Sequence, residues 1–190
     1  MDLRFLLRLR KDQRQLQNVN GTAFVIFYRQ KGINDKKQGG VHVSARQLVV
    51  FTINGEEFGI DIDRINSIEK MLDIFKIPNT PEYIEGLVNL RGKVHTVFNL
   101  RKRFNLPCPA FDENTKIIMA NMSASIVGII VDEVKEIVKI EEADFESTPK
   151  ALSNLSERFL GGIAKISGRV IMLLELDNVL AVDESHQPVR

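Results

Sequence analysis

The sequence predicts an all-β protein built as two related units packed against each other. Three observations carry that expectation. An Asn54-Gly55 pair lies between β-branched runs, the helical signals are too brief to form a layer, and an internal repeat returns the same turns and apolar positions twice. At 190 residues the chain can bury about 70% of its unfolded surface, enough for one modest domain or two small ones. An apolar content of 44% with 27% charged residues places it among ordinary globular chains and away from disordered ones.

Residues 1–46 stand apart. They hold ten Lys/Arg against three Asp/Glu, a balance of +7, whereas 47–190 hold sixteen against twenty-two, a balance of −6. Leu3, Leu6, Leu7 and Leu9 can line one side of a short helix edged by Arg4, Arg8 and Lys11. A frayed basic tail is the simpler reading, and weak membrane-surface contact through 1–46 is the alternative. Arginines interrupt the apolar positions too often for a secretory signal, and no run approaches eighteen apolar residues. Thr22–Tyr28 is apolar enough for a strand and would need a partner, while Lys31–Gly40 reads as flexible linker. The expected organisation is a partly flexible basic extension over 1–46, a compact domain over 47–182 and a tail over 183–190.

Within the body, Gln47–Ile53 and Glu56–Ile62 form a hairpin about Asn54-Gly55, because that pair accepts the positive φ a two-residue turn needs. Ile65–Met71 continues with apolar residues at Ile65 and Ile68. Thr80 can cap a short helix from Pro81, with Gly86 ending it. Leu87–Leu90 and Lys93–Leu100 flank an Arg91-Gly92 turn, and Asn99 caps a brief basic helix through Phe104. Lys116–Ala120 and Ile126–Asp132 flank a polar turn, Val134–Ile140 is extended, and 141–161 is less regular. Ala164–Ile166 and Val170–Leu176 surround Ser167-Gly168-Arg169, and Asp177–Leu180 closes the domain.

Two stretches repeat. Phe58–Ile65 matches Val127–Val134 at an offset of 69, pairing Gly59 with Gly128 and Asp63 with Asp132, and Ile68 with Ile137. Arg91–Val94 matches Ser167–Val170 at an offset of 76, with Leu100 opposite Leu176 and Phe104 opposite Leu180. Each unit has about five short strands and too little area for a secure core of its own, so packing the two together stabilises both.

No catalytic, cofactor or metal site is expected. Asp61 and Asp63 share one side of a strand, but an edge or turn role explains them more simply, as it does Asp132–Glu133. There is no nucleophile elbow, phosphate loop or dinucleotide fingerprint. His42, His95 and His186 are far apart, and Cys108, between Pro107 and Pro109, reads as a loop thiol in a reducing compartment. Gly161–Gly162 can offer amides to an anion, but a flexible join is the ordinary reading. Arg101-Lys102-Arg103 beside Phe104 reads as the polar side of a short helix. Without Trp, with two Tyr and with an acidic body, the chain does not fit a nucleic-acid platform.

Assembled in order, Gln47–Ile68, Thr80–Leu100 (TPEYIEGLVNLRGKVHTVFNL), Ile126–Val138 and Phe159–Leu180 resemble the bacterial chemotaxis coupling-protein family, CheW. The resemblance implies two SH3-like five-stranded β-barrels with short helices, packed side by side. It implies a non-enzymatic scaffold, cytoplasmic and associated with inner-membrane chemoreceptor arrays. Its partners would be the signalling domain of a methyl-accepting chemoreceptor and the regulatory domain of a CheA-like histidine kinase. By resemblance the receptor-facing residues are Ile65, Gly86 and Arg91, and weaker kinase-facing candidates are Gly128, Val131, Gly161 and Gly162. The usual family string resembles IPVIDLR where this chain has His95–Arg101, so Thr96 restores a backbone donor and Asn99 removes a charge while keeping its capping ability. The alternative function is a small-ligand-binding β-barrel sensor or an enzyme with an unidentified site, which requires a concave pocket with convergent polar groups.

Overall fold

A computed structural model describes the backbone of residues 23–25 together with residues 46–122, 125–147 and 159–181. The leucine-rich start, the Lys31–Gly40 linker and the tail over 183–190 lie outside the described residues. The strands are β1 (Ala23–Val25), β2 (Arg46–Ile53), β3 (Glu56–Asp61), β4 (Ile65–Lys70), β5 (Ile84–Leu90), β6 (Lys93–Asn99), β7 (Lys116–Asn121) and β8 (Ile126–Val131). They continue with β9 (Glu133–Ile140), β10 (Phe145–Glu146), β11 (Leu160–Ile166) and β12 (Arg169–Leu174), and two one-turn helices follow β6 and β12 as α1 (Leu100–Arg103) and α2 (Leu176–Val179). Asn99 caps α1 by accepting from the Lys102 amide at 3.3 Å, as its sequence position predicts.

The strands form two mixed six-stranded sheets, ordered β1-β4-β7-β8-β6-β5 and β10-β11-β12-β3-β2-β9. Neither closes on itself, so the expectation of two SH3-like five-stranded barrels is corrected to two open sheets. Some strands that could otherwise meet are taken up elsewhere. β1 lies along β4, β10 lies along β11, and Phe75 bridges to Leu87 on the free side of β5. Edges paired in this way have no need to find each other.

Two local expectations also change. Pro81–Gly86 is not helical; Thr80 Oγ1 donates to the Ile77 carbonyl, the Ile84 amide donates to Pro81, and β5 begins at Ile84. Gly161–Gly162 is not a loose join but part of β11, at a bulge between Leu160 and Gly162.

The repeat is real in space. β6 and β12 run parallel to β8 and β3 through the pairs Val97–Gly128 and Leu173–Gly59. The turns Arg91-Gly92 (φ 53° and 81°) and Ser167-Gly168 (φ 49° and 78°) have the same geometry. Gly59 and Gly128 each leave room for neighbouring core side chains, since a Cβ would come within 3.2 Å of Ile171, Leu173 and Leu48 at the first and of Ile117 and Val97 at the second.

The halves exchange strands. β3 in one sheet turns through a 3-10 segment, Ile62–Arg64, into β4 of the other, and β8 continues directly into β9 of the first. The facing sides of the two sheets share a central core that includes Phe51, Ile60, Ile65, Ile118, Ile129 and Val131. Each outer face has a smaller core of its own, around Leu48, Val50 and Ile171 in one sheet and around Val88, Val97 and Ile117 in the other. Burying apolar faces on both sides explains why β2, β7 and β8 read as nearly continuous hydrophobic runs.

Candidate protein-interaction site

The β5–β6 hairpin carries two of the receptor-facing candidates. Its tip is the Arg91-Gly92 turn, where the Gly92 amide donates to Asn89 Oδ1 at 3.0 Å and Arg91 stands exposed. Gly86 is buried at a bulge between Ile84 and Gly86, with φ of +149°. A Cβ there would run into the Phe75 carbonyl oxygen and lie 2.7 Å from Ile74 Cγ2. Its absence lets Phe75 and Leu87 exchange two backbone hydrogen bonds of 2.8 Å, leaving the Phe75 side chain 64% exposed.

Ile65, the third candidate, begins β4 and is 0% exposed, within the central core. Two polar residues of the same strand, Ser67 and Glu69, are also buried, with Ser67 Oγ donating to Glu69 Oε1 at 2.8 Å. Burial pushes the Glu69 carboxyl up, against the Ser67 bond and the positive charge of Arg91, both of which pull it down. Arg91 is therefore electrostatically linked to β4 although it lies on a different hairpin.

A second buried carboxylate anchors the base of that hairpin. Glu85 receives bonds from Lys102 at 2.7 Å, from Asn99 Nδ2 at 3.1 Å and from Lys76. Burial alone would push Glu85 up, but the Lys102, Lys76 and Asn99 bonds outweigh it and hold the carboxyl below its ordinary range. The rest of the basic cluster is likewise engaged within the fold. Arg101 forks onto Asp132 with two bonds of 2.7 Å, and Arg103 donates to the carbonyls of Val179 and Ala181 while lying over Tyr83 and Phe159. These partners explain the cluster without nucleic acid. Asp132 also accepts from the Asn54 amide at 2.7 Å, so this carboxylate ties the β8–β9 junction to the β2–β3 turn.

The weaker candidates fall in both sheets. Gly128 and Val131 are buried in β8, while Gly161 is exposed and Gly162 buried in β11. Gly162 repeats the geometry of Gly86: its φ is +150°, its place in the bulge is the same, and a Cβ would run into the Phe145 ring. Val94 and Val170, equivalent in the repeat, stand 64% and 51% exposed beside the two matching turns. Sequence reading found the turns but missed Glu69 and Glu85, because a carboxylate on a strand reads as solvated until its neighbours in space are known.

An apolar cavity of about 300 Å³ at the junction of the sheets is lined by Ile53, Phe58, Phe104, Phe159 and Met172 among others, with Arg103 as its cation. Among the described residues, no group of three or more His, Cys, Asp or Glu could hold a metal ion, and no helix is long and apolar enough to cross a membrane.

Residues 47–184 match the CheW-like domain model. The chain is 32% identical over 146 residues to chemotaxis protein CheW of Bacillus subtilis, covering 77% of this chain and 94% of that protein. It is 30% identical over 139 residues to chemotaxis protein CheW of Klebsiella aerogenes, covering 73% and 84%. The crystal structure of scaffolding protein TtCheW from Thermoanaerobacter tengcongensis superposes with a TM-score of 0.69 at 33% identity, covering 76% of this chain and 99% of that one.

Proposed function

The chain belongs to the CheW family, and we propose that it presents receptor and kinase contacts on one interlocked body. It is a non-enzymatic adaptor that couples chemoreceptors to a CheA-like histidine kinase in chemotaxis signalling. The observation that carries this function is the family match across nearly the whole described body, 47–184.

In the proposed arrangement, the exposed Arg91 guanidinium offers a forked donor to a carboxylate or carbonyl of the chemoreceptor signalling domain. Gly86 and Ile65 shape the backbone behind it. The regulatory domain of the kinase meets the surface at the exposed Gly161, while Gly128, Val131 and Gly162 are buried and act only on the strands that carry them. The adaptor works in the cytoplasm, at inner-membrane chemoreceptor arrays. Holding both partners raises their effective concentration and fixes their relative geometry.

Titration of the full chain with the cognate receptor signalling domain and the kinase regulatory domain tests the assignment, and folded protein that binds neither would overturn it. Arg91→Ala is expected to weaken receptor binding about tenfold with a stability loss under about 1 kcal/mol, because an exposed turn arginine supports no core. Paired melting and titration distinguish this from affinity lost only through unfolding.

A further inference from the structure

The β5–β6 hairpin and the segment beside it turn a row of apolar side chains toward solvent. Phe75 lies opposite Leu87, Leu87 opposite Thr96, and Asn89, two positions farther along β5, opposite Val94. Residues directly opposite, or two apart along a strand, share a face, so Phe75, Leu87 and Val94 stand together. Val88 and Leu90, which alternate with them, belong to the outer core on the other face. Phe75 and Val94 are each 64% exposed, and Leu87 is half-buried outside all three cores. Arg91 and Lys93 stand exposed at the tip of the same hairpin.

The backbone of Phe75 is fixed in this position. Its amide and carbonyl each bond Leu87 at 2.8 Å, an approach that Gly86 permits by lacking a Cβ. On one side Ile74 packs against the outer core. On the other, Lys76 bonds Glu85, a buried carboxylate that Lys102 and Asn99 also hold. An aromatic ring kept in water forgoes the gain of burial, and a backbone that holds it there has already met part of the ordering cost of binding. A contiguous exposed apolar patch rimmed by polar residues marks an interaction site, and aromatic and arginine side chains dominate such contacts. We infer that this strip grips the chemoreceptor signalling domain, with Phe75, Leu87 and Val94 against an apolar patch of the receptor and Arg91 on a carboxylate at the border of that patch. The inference rests on the receptor-facing reading of Arg91, because the strip runs into the turn that carries it.

The test titrates the full chain with the cognate receptor signalling domain and, separately, with the kinase regulatory domain. Phe75→Ser is expected to weaken receptor binding at least tenfold and Val94→Ser at least threefold, with melting point and kinase affinity unchanged, because neither side chain supports a core. Phe111→Ser, at an exposed phenylalanine of the loop after α1, is expected to leave both affinities as they are. Receptor affinity that Arg91→Ala lowers and Phe75→Ser does not would overturn the strip while keeping the contact at Arg91. An equal loss in Phe111→Ser, or a loss of kinase binding in place of receptor binding, would also overturn it. An unaltered, folded chain that binds no receptor would remove the adaptor assignment itself, and the strip with it.

Discussion

Asn99 shows how one amide serves two purposes. Its oxygen caps α1 while its nitrogen donates to Glu85, so it fills the capping position without setting a second negative charge against a buried carboxylate. Asn99→Asp should therefore cost about 1–2 kcal/mol at pH 7, a melting point lower by roughly 2–8 °C for a domain of this size. The loss should shrink toward pH 4 as one of the two carboxyls takes up a proton, and melting at both pH values checks it. An equal loss at each would rule out charge repulsion as the cause. The parent chain has its own acid limit. Because the folded state holds Glu85 below its ordinary 4.5, the stability this residue contributes is full above that value and is lost as pH falls through the lower folded one. Nothing in the sequence distinguishes Glu85 or Glu69 from a solvated strand carboxylate. Their burial depends on Lys76, Lys102 and Arg91, which other elements bring to them.

At the level of elements, the turns were legible and the bulges were not. Asn54-Gly55, Arg91-Gly92 and Ser167-Gly168 adopt positive φ for reasons contained in two residues each. Gly86 reads as a helix stop because its neighbour Phe75 lies eleven positions away and is invisible to local pattern. The distinction has a measurable consequence. Gly86→Ala must strain φ and collide with the Phe75 backbone, whereas Gly92→Ala meets nothing within 4 Å and strains φ alone. Urea unfolding should show a cost of about 1 kcal/mol for the turn and at least 2–3 kcal/mol for the bulge. A ranking in the opposite order would contradict this account. The same pairing of a positive-φ glycine with a bulge at Gly162 shows that the second unit uses the same device, with the Phe145 ring nearest and the Glu146 carbonyl oxygen beside it.

For the whole molecule, the duplication was legible because Gly59 and Gly128 and the two later turns recur in order. The exchange of strands was not, because the three residues Ile62–Arg64 give no sign that the chain changes sheets there. Open sheets also differ from the expected barrels only in which edges meet, a matter of long-range register that strand patterning leaves undetermined. The exchange predicts that the two units are one cooperative body. Fragments 1–122 and 123–190, separately unfolded by circular dichroism, should restore the native spectrum as a 1:1 complex when mixed, because β9 in the second fragment completes the sheet of β2 in the first. A fragment that folded alone would contradict this interdependence.

The crossing of β4 and β9 also determines how the molecule bears a load. Pulling the two sheets apart has to slide whole ladders, β4 along β7 and β9 along β2, instead of peeling away a greasy seam. A push or twist delivered to one face is thus carried to the other through continuous strands as well as through packed side chains, as through a woven joint rather than a glued one.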